Sequence, residues 1–183
     1  MNFSTMACQN LYLDPLFITG FSDAEACFHA SVIKSTDTKI NWKTSVVFQF
    51  GLHISELPLL LRIQEHFNGV GFIIKNVKNN TAYYTVTKFN DIVNVILPHF
   101  LNYPLLSKKA IDFHLFCKIV EVMSTKSHFT ITGLQKIISF KASMNKGLTP
   151  SLVNAFPNVK PYIPVIVFNY IIQDAWLVGF IAG

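Results

Sequence analysis

The sequence predicts an α+β domain, ordered helix–strand–strand–helix–strand–strand–helix, with a curved four-stranded antiparallel sheet. Three observations lead there. Residues 25–34 and 44–53 flank a polar turn, Ser35 to Asn41. In the first of them Phe28, Ala30 and Val32 alternate with Cys27, His29, Ser31 and Ile33, the period of two required by a sheet with one solvated face. Residues 71–77 and 82–88 form a second hairpin around Lys78-Asn79-Asn80. Apolar stretches of helical spacing precede, separate and follow the two hairpins.

Leu13 to Asp23 reads as the first helix. Asp14 can cap it, and Pro15 suits its first turn because an N–H there would have no helical partner. Gly20 inside a helix costs up to ~1 kcal/mol, which calls for a reason such as the close approach of a second helix. Ser55 to Phe67 is the next helix, with Pro58 in its first turn and Leu57, Leu60, Leu61 and Ile63 on its buried side. Asp91 to His99, Ser107 to Met123 and Thr130 to Met144 follow, with Ser107 and Thr130 as caps. From Gly147 onward, Pro150, Pro157, Pro161 and Pro164 predict an extended linker. The expected layout is a tail over 1–12, a domain over 13–148, a linker over 149–173 and a further helix beginning at 174.

Composition narrows the function classes. Fifteen Lys and Arg against ten Asp and Glu give a net charge of +5, which suits a polyanionic partner. Mean hydropathy is +0.38, yet Pro164, Asn169 and Gln173-Asp174 interrupt the most apolar region. A spanning helix needs about 20 mostly apolar residues, so no membrane association is expected. Met1 to Asn10 has no basic residue and no apolar run, so neither a signal peptide nor an import presequence is read there. Cys8, Cys27 and Cys117 are odd in number and widely spaced, against a disulfide framework or zinc site. The six histidines form no H-E-x-x-H or H-x-H pair, and no Walker loop, G-x-S-x-G or G-x-G-x-x-G is present.

One internal repeat stands out. Leu16-Phe17-Ile18-Thr19-Gly20-Phe21-Ser22-Asp23-Ala24-Glu25 returns in altered form as Trp176-Leu177-Val178-Gly179-Phe180-Ile181-Ala182-Gly183. Aligning Gly20 with Gly179 places Ala24 on Gly183 and Glu25 on the position after it. A short apolar helix ending in an acid, used twice, resembles the LAGLIDADG homing endonucleases, specifically the two-motif, fungal mitochondrial, intron-encoded type. Asp14-Pro15-Leu16-Phe17 through Glu25 is similar to the first motif of that family. Phe48-Gln49-Phe50-Gly51-Leu52-His53, Tyr103-Pro104-Leu105-Leu106-Ser107-Lys108-Lys109 and Lys141-Ala142-Ser143-Met144-Asn145 follow in the family's order. Ala26 departs from the glycine usual after the acid, and Ser22 from the usual apolar residue.

The resemblance implies a mitochondrial, site-specific double-strand DNA endonuclease, of which this chain is the first half. It places the metal-binding acid at Glu25, with the backbone carbonyls of Ala24 and Gly183 as further metal ligands and Mg2+ as the cofactor. It also implies that Gly20 and Gly179 form a helix–helix interface, and that Lys109 lies at the edge of the active site, ordering water or offsetting phosphate charge. Asp23 is expected to bond backbone rather than metal. The polar sheet face is the expected reader of double-stranded DNA: His29, Ser31, Ser35 and Gln49 from the first hairpin, and Asn76, Lys78, Asn80, Tyr83 and Thr85 from the second. Lys34, Lys39, Lys43 and Lys75 are assigned to phosphates. The second acid would come from a further half or from a second copy. The alternatives are a maturase that binds intron RNA on the same fold without cutting, or an inactive remnant.

Overall fold

The computed structural model describes residues 12–165 and 171–183. Cys8 and most of the expected N-terminal tail lie outside the described residues, as does part of the expected linker. Helix α1 (Pro15–Glu25) leads into strands β1 (Ala26–Lys34) and β2 (Trp42–His53). A 3-10 turn at Ile54–Glu56 and helix α2 (Leu57–His66) follow, then strands β3 (Phe72–Asn76) and β4 (Thr81–Val86). The remaining elements are helical: α3 (Phe89–Asp91), a π segment (Ile92–Ile96), α4 (Leu97–Asn102), α5 (Lys109–Ser124), α6 (Ile131–Ala142), α7 (Pro150–Ala155) and α8 (Asp174–Ala182).

The four strands make one antiparallel sheet in the order β1-β2-β4-β3. Register decides what each face carries, because directly opposed residues share a face. Ala26, Phe28, Ala30 and Val32 oppose Phe50, Phe48, Val46 and Thr44, and Phe48, Phe50 and Leu52 oppose Val86, Tyr84 and Ala82. This face is covered by the helices. Phe28, Phe48, Phe50, Phe67, Phe100 and Phe116 are each buried to within 1% exposure. Their rings meet at offset and edge-on angles, as in the Phe28–Phe100 contact at 5.2 Å and 85°, the geometry the ring quadrupole favours. Eight of the 17 phenylalanines are buried in this core.

Several boundaries differ from the sequence reading. Helix α1 runs two residues past Asp23, because the Ala26 N–H still bonds the Ser22 carbonyl; Glu25 therefore ends a helix rather than beginning a strand. Strand β2 starts at Trp42, two residues earlier than expected. Leu61 is 52% exposed, since α2 turns only Leu60 and Ile63 fully inward. The helix read over Asp91 to His99 is longer and contains the π segment Ile92–Ile96, one residue ahead of Leu97-Pro98 at the start of α4. A proline cannot donate to the helical ladder and its ring crowds the preceding turn, and a local widening relieves this. Ser107 lies outside α5, whose N-cap is Lys108, whereas Thr130 does cap α6, its hydroxyl accepting from Gly133 N at 3.0 Å. The linker is not simply extended: α7 forms within it, with Leu152 1% exposed and Phe156 packed 5.3 Å from Trp42. Further along, Ser139 Oγ donates to the Lys160 carbonyl and Tyr162 N to the Ser139 carbonyl.

A polar chain crosses the helical layer. Thr19 Oγ1 lies 3.3 Å from His99 Nε2, and His99 Nδ1 lies 3.3 Å from His66 Nε2; the Thr19 hydroxyl also donates to the Tyr103 carbonyl at 3.1 Å. Burial, aided by the neighbouring His66, lowers the His99 pKa to about 3, and burial lowers His66 as well. His99 is thus neutral in the folded protein where an unfolded histidine, near 6.5, takes up a proton. The stability this neutrality supports is complete above pH 6.5 and is lost as pH falls toward 3, at up to about 1.4 kcal/mol per pH unit. Urea unfolding across that range should show a slope reduced by one proton in His99→Gln; equal slopes in the two proteins would exclude His99 as the linked group.

Candidate active site and sheet face

The site is organised by two helices that touch backbone to backbone. A Cβ added to Gly20 would collide with the Trp176 carbonyl oxygen and lie 2.9 Å from Phe180 N, and one added to Gly179 would collide with the Phe17 carbonyl. At the far end, a Cβ on Gly183 would lie 2.6 Å from the Ala24 Cβ and 3.0 Å from the Glu25 Cγ. Contacts advance together along both helices, so α1 and α8 run parallel and their carboxyl ends coincide. The structure brings Gly20 and Gly179 to the crossing, and Ala24, Glu25 and Gly183 to its end.

Two helix C-termini side by side add their negative ends at one place, and the half-buried Glu25 adds a carboxylate there. Lys109, from the first turn of α5, supplies a positive charge: its Nζ donates to the Ala24 carbonyl at 3.1 Å. Burial lowers its pKa, opposed by the surrounding Asp23, Cys27, Glu25 and Asp112. The Ala24 carbonyl, one of the expected metal ligands, is therefore held by an ammonium. The donors here are hard oxygens, a carboxylate and carbonyls at a negative pole, and they fit a hard divalent cation that keeps water ligands. No cluster of three or more His, Cys, Asp or Glu able to hold a metal occurs among the described residues, so the remaining ligands of such an ion would be water and substrate.

Asp23 holds this arrangement together. It is 5% exposed and accepts from Leu106 N at 2.7 Å, Ser107 N at 3.2 Å, Ser107 Oγ at 2.6 Å and Trp176 Nε1 at 2.9 Å. Ser107 Oγ in turn accepts from Lys109 N. One carboxylate thus joins α1, the entry to α5 that presents Lys109, and α8. Ser22 is equally satisfied: fully buried, it donates to the Ile18 carbonyl at 2.6 Å, which explains how a hydroxyl occupies an apolar position. Sequence reasoning placed Asp23 against backbone but missed Trp176 and Asp112; an indole aligned with the first motif was the available signal for Trp176, while nothing local marks Asp112.

Beside this pole lies the open sheet face. Register places Cys27, His29, Ser31, Gln49, Asn76, Tyr83 and Thr85 on it. Gln49 is opposite Cys27 and uses its amide to donate to Thr85 Oγ1 at 2.9 Å; Thr85 is only 6% exposed and presents little surface. Ser35, Lys78 and Asn80 sit in the hairpin turns rather than on strands, with Asn80 in the left-handed region at φ 51°. Lys43 shares the open face, whereas Lys34 and Lys75 pair with Trp42 and Ala82 and so carry the parity of the covered face; Lys39 lies in the first turn. No helix among the described residues is long and apolar enough to cross a membrane.

A family model described as LAGLIDADG endonuclease matches residues 18–120, more than half of the chain. This chain belongs to the LAGLIDADG endonuclease family. It is 35% identical over 182 residues to "Probable intron-encoded endonuclease 2" of Neurospora crassa, covering 93% of this chain but 40% of that protein. It is 38% identical to the I-SmaMI LAGLIDADG homing endonuclease bound to cleaved DNA, with a TM-score of 0.89 over 93% of this chain and 57% of that one. A second structure of I-SmaMI, bound to uncleaved DNA in the presence of calcium ions, has a TM-score of 0.90 and again 38% identity, over 93% of this chain and 58% of that one. The LAGLIDADG chain described here thus spans well under two thirds of these relatives.

Two substitutions test the architecture of this LAGLIDADG core. Gly20→Val forces the helices apart; α8 should undock, seen as a red shift of tryptophan fluorescence as Trp176 meets water, with the sheet signal in circular dichroism retained. An unshifted emission would mean the helices tolerate separation without undocking. Asp23→Asn turns an amide N–H toward donors and should lower stability by about 3 kcal/mol in denaturant unfolding; a loss below about 1 kcal/mol would contradict its role as the shared acceptor.

Proposed function

We propose that this chain is the first half of a site-specific, divalent-metal-dependent DNA endonuclease encoded in a fungal mitochondrial intron, with Mg2+ as the working ion. The observation that carries the reading is the meeting of two parallel helix C-termini with Glu25 and Lys109, at the margin of an open sheet face. The names of the relatives support it: intron-encoded endonucleases, and homing endonucleases bound to DNA. The outward side of α8 supports a further half, since Val178 is 58% and Ile181 73% exposed.

Each residue has a distinct task in this reading. Glu25 would hold the ion, with the Gly183 carbonyl and the Ala24 carbonyl, which the Lys109 ammonium also engages, as the further ligands of this reading. The bound ion supplies Lewis acidity to a phosphoryl oxygen and acidifies its water. Lys109, fixed through Ser107 and Asp23, offsets charge on the phosphate and orders the attacking water. Gln49, beside Cys27 on the open face, keeps its carbonyl oxygen free for a base or water. His29, Ser31, Asn76 and Tyr83 contact base edges in the major groove, while Ser35, Lys78 and Asn80 meet the backbone from the hairpin turns. Phosphate contacts by Lys39 and Lys43 hold the duplex without reading it.

Glu25→Gln in the intact protein tests this. Cleavage of intronless-allele DNA with Mg2+ should fall by at least about a hundredfold, while duplex binding in a gel-shift assay stays near wild type. Wild-type protein that cuts no such DNA yet supports splicing of its intron, with Glu25→Gln equally competent, would replace this reading with the RNA-binding one.

A further inference from the structure

A cleft of about 290 Å³ opens at the free edge of β1, between that strand and the α6–α7 connection. Its polar lining is His29, Ser31, Lys34, Lys141, Thr149 and Ser151. None of the lining residues is acidic. Lys141 comes from the last turn of α6 and is only 9% exposed. Among the described residues its ammonium has no hydrogen-bond acceptor and no carboxylate within ion-pair distance. The stem is buried while the ammonium opens onto the cleft, so its charge meets solvent or a ligand there rather than a protein partner. Packing of the lysine stem against Leu152 and Trp42 would account for the methylenes. Lys34 lies over the Trp42 ring, its ammonium 6.0 Å from the centroid, but an imidazole and three hydroxyls are gathered at the same opening with no acidic residue.

We propose that this cleft binds one phosphate of the DNA backbone, with Lys141 as its principal charge. Lys34 and the His29 ring flank that charge, and the hydroxyls of Thr149 and Ser151 donate to the phosphate oxygens. The inference rests on the DNA-binding reading above and extends it. His29 and Ser31 belong to both the open sheet face and the cleft, so a duplex on that face brings one strand along the β1 edge. Burial and the Lys141 charge lower the His29 pKa, so at neutral pH the ring is a neutral N–H donor rather than a third cation. Asn145 fixes the edge in place, its side-chain amide donating to the Phe28 carbonyl at 2.8 Å while its backbone N–H donates to Asp112 at 2.8 Å. Because Asp112 also lies in the field of Lys109, the same loop relates the cleft to the candidate active site. A phosphate seated there would set the position of the strand relative to Glu25, which is the kind of task phosphate contacts perform.

The test is the salt dependence of binding to a short random-sequence duplex, followed by fluorescence anisotropy. Each phosphate contact contributes about 0.9 to the slope of log K against log salt. Lys141→Met should lower the slope by about that amount, and Lys141→Arg should restore it. Lys118→Met, at an exposed lysine already paired with Glu121, should leave it unchanged. An unchanged slope in Lys141→Met, or an equal drop in Lys118→Met, overturns the proposal. If Lys141→Met does not fold, Ser151→Asp decides: it sets a carboxylate at the exposed rim and should produce the same drop, and no change there overturns the proposal. Titration with inorganic phosphate, read from the His29 ring signals by NMR, separates the two levels of inference. Wild type that binds no duplex but shifts with phosphate, while Lys141→Met does not, retains the anion site and removes the DNA reading. No shift together with no duplex binding removes both.

Discussion

Everything at the candidate site depends on two helices packing with no side chain between them. Gly20 and Gly179 let the α1 and α8 backbones touch, and the parallel sense of that contact brings two carboxyl ends to one point. In most proteins such an arrangement is electrostatically unfavourable, because the partial negative ends repel. Here the repulsion is a resource. A region of concentrated negative potential, lined by carbonyls and by Glu25, is a place where cations collect, and the Lys109 ammonium already occupies part of it.

The buried carboxylate of Asp23 solves the complementary problem of keeping the pieces aligned. Its oxygens accept from two other segments, the entry to α5 and helix α8, so the tilt of α8 and the start of α5 cannot vary independently. A charge this deep is tolerated because its oxygens face backbone N–H groups, a hydroxyl and an indole. The consequence for chemistry is positional: Lys109 begins α5 where the Ser107 hydroxyl receives its N–H, and that hydroxyl is itself held by Asp23. The acid that looks most like a second catalytic group is thus the one that places the others.

The sheet performs a different task with the same economy of means. One face carries the aromatic core that makes the domain rigid; the other is left open over its central strands. The edge strand β1 is engaged at Phe28, whose carbonyl accepts from the Asn145 side chain, with the cleft around Lys141 beside it. An uncovered edge would invite pairing with other chains. Here the cleft also adds positive charge next to the face that the proposed reading assigns to DNA.

Much of this was legible in the chain itself. Period-two alternation set the faces of β1, and the polar turns set the hairpins, because these depend on neighbouring residues alone. The repeat containing Gly20 and Gly179 announced a close helix pair, and the order of motifs announced the family. Local information failed where distant groups compete. That α7 forms among prolines is an outcome of packing against the rest of the domain, through Leu152 and Phe156. The partners of Asp23 at positions 106, 107 and 176, and the isolation of Lys141 from any carboxylate, are likewise absent from any local pattern. Alternation and small-residue spacing act over a few residues, so sequence determines them; the pairing of charges and donors across more than eighty residues exists only once tertiary structure has brought them within hydrogen-bonding distance.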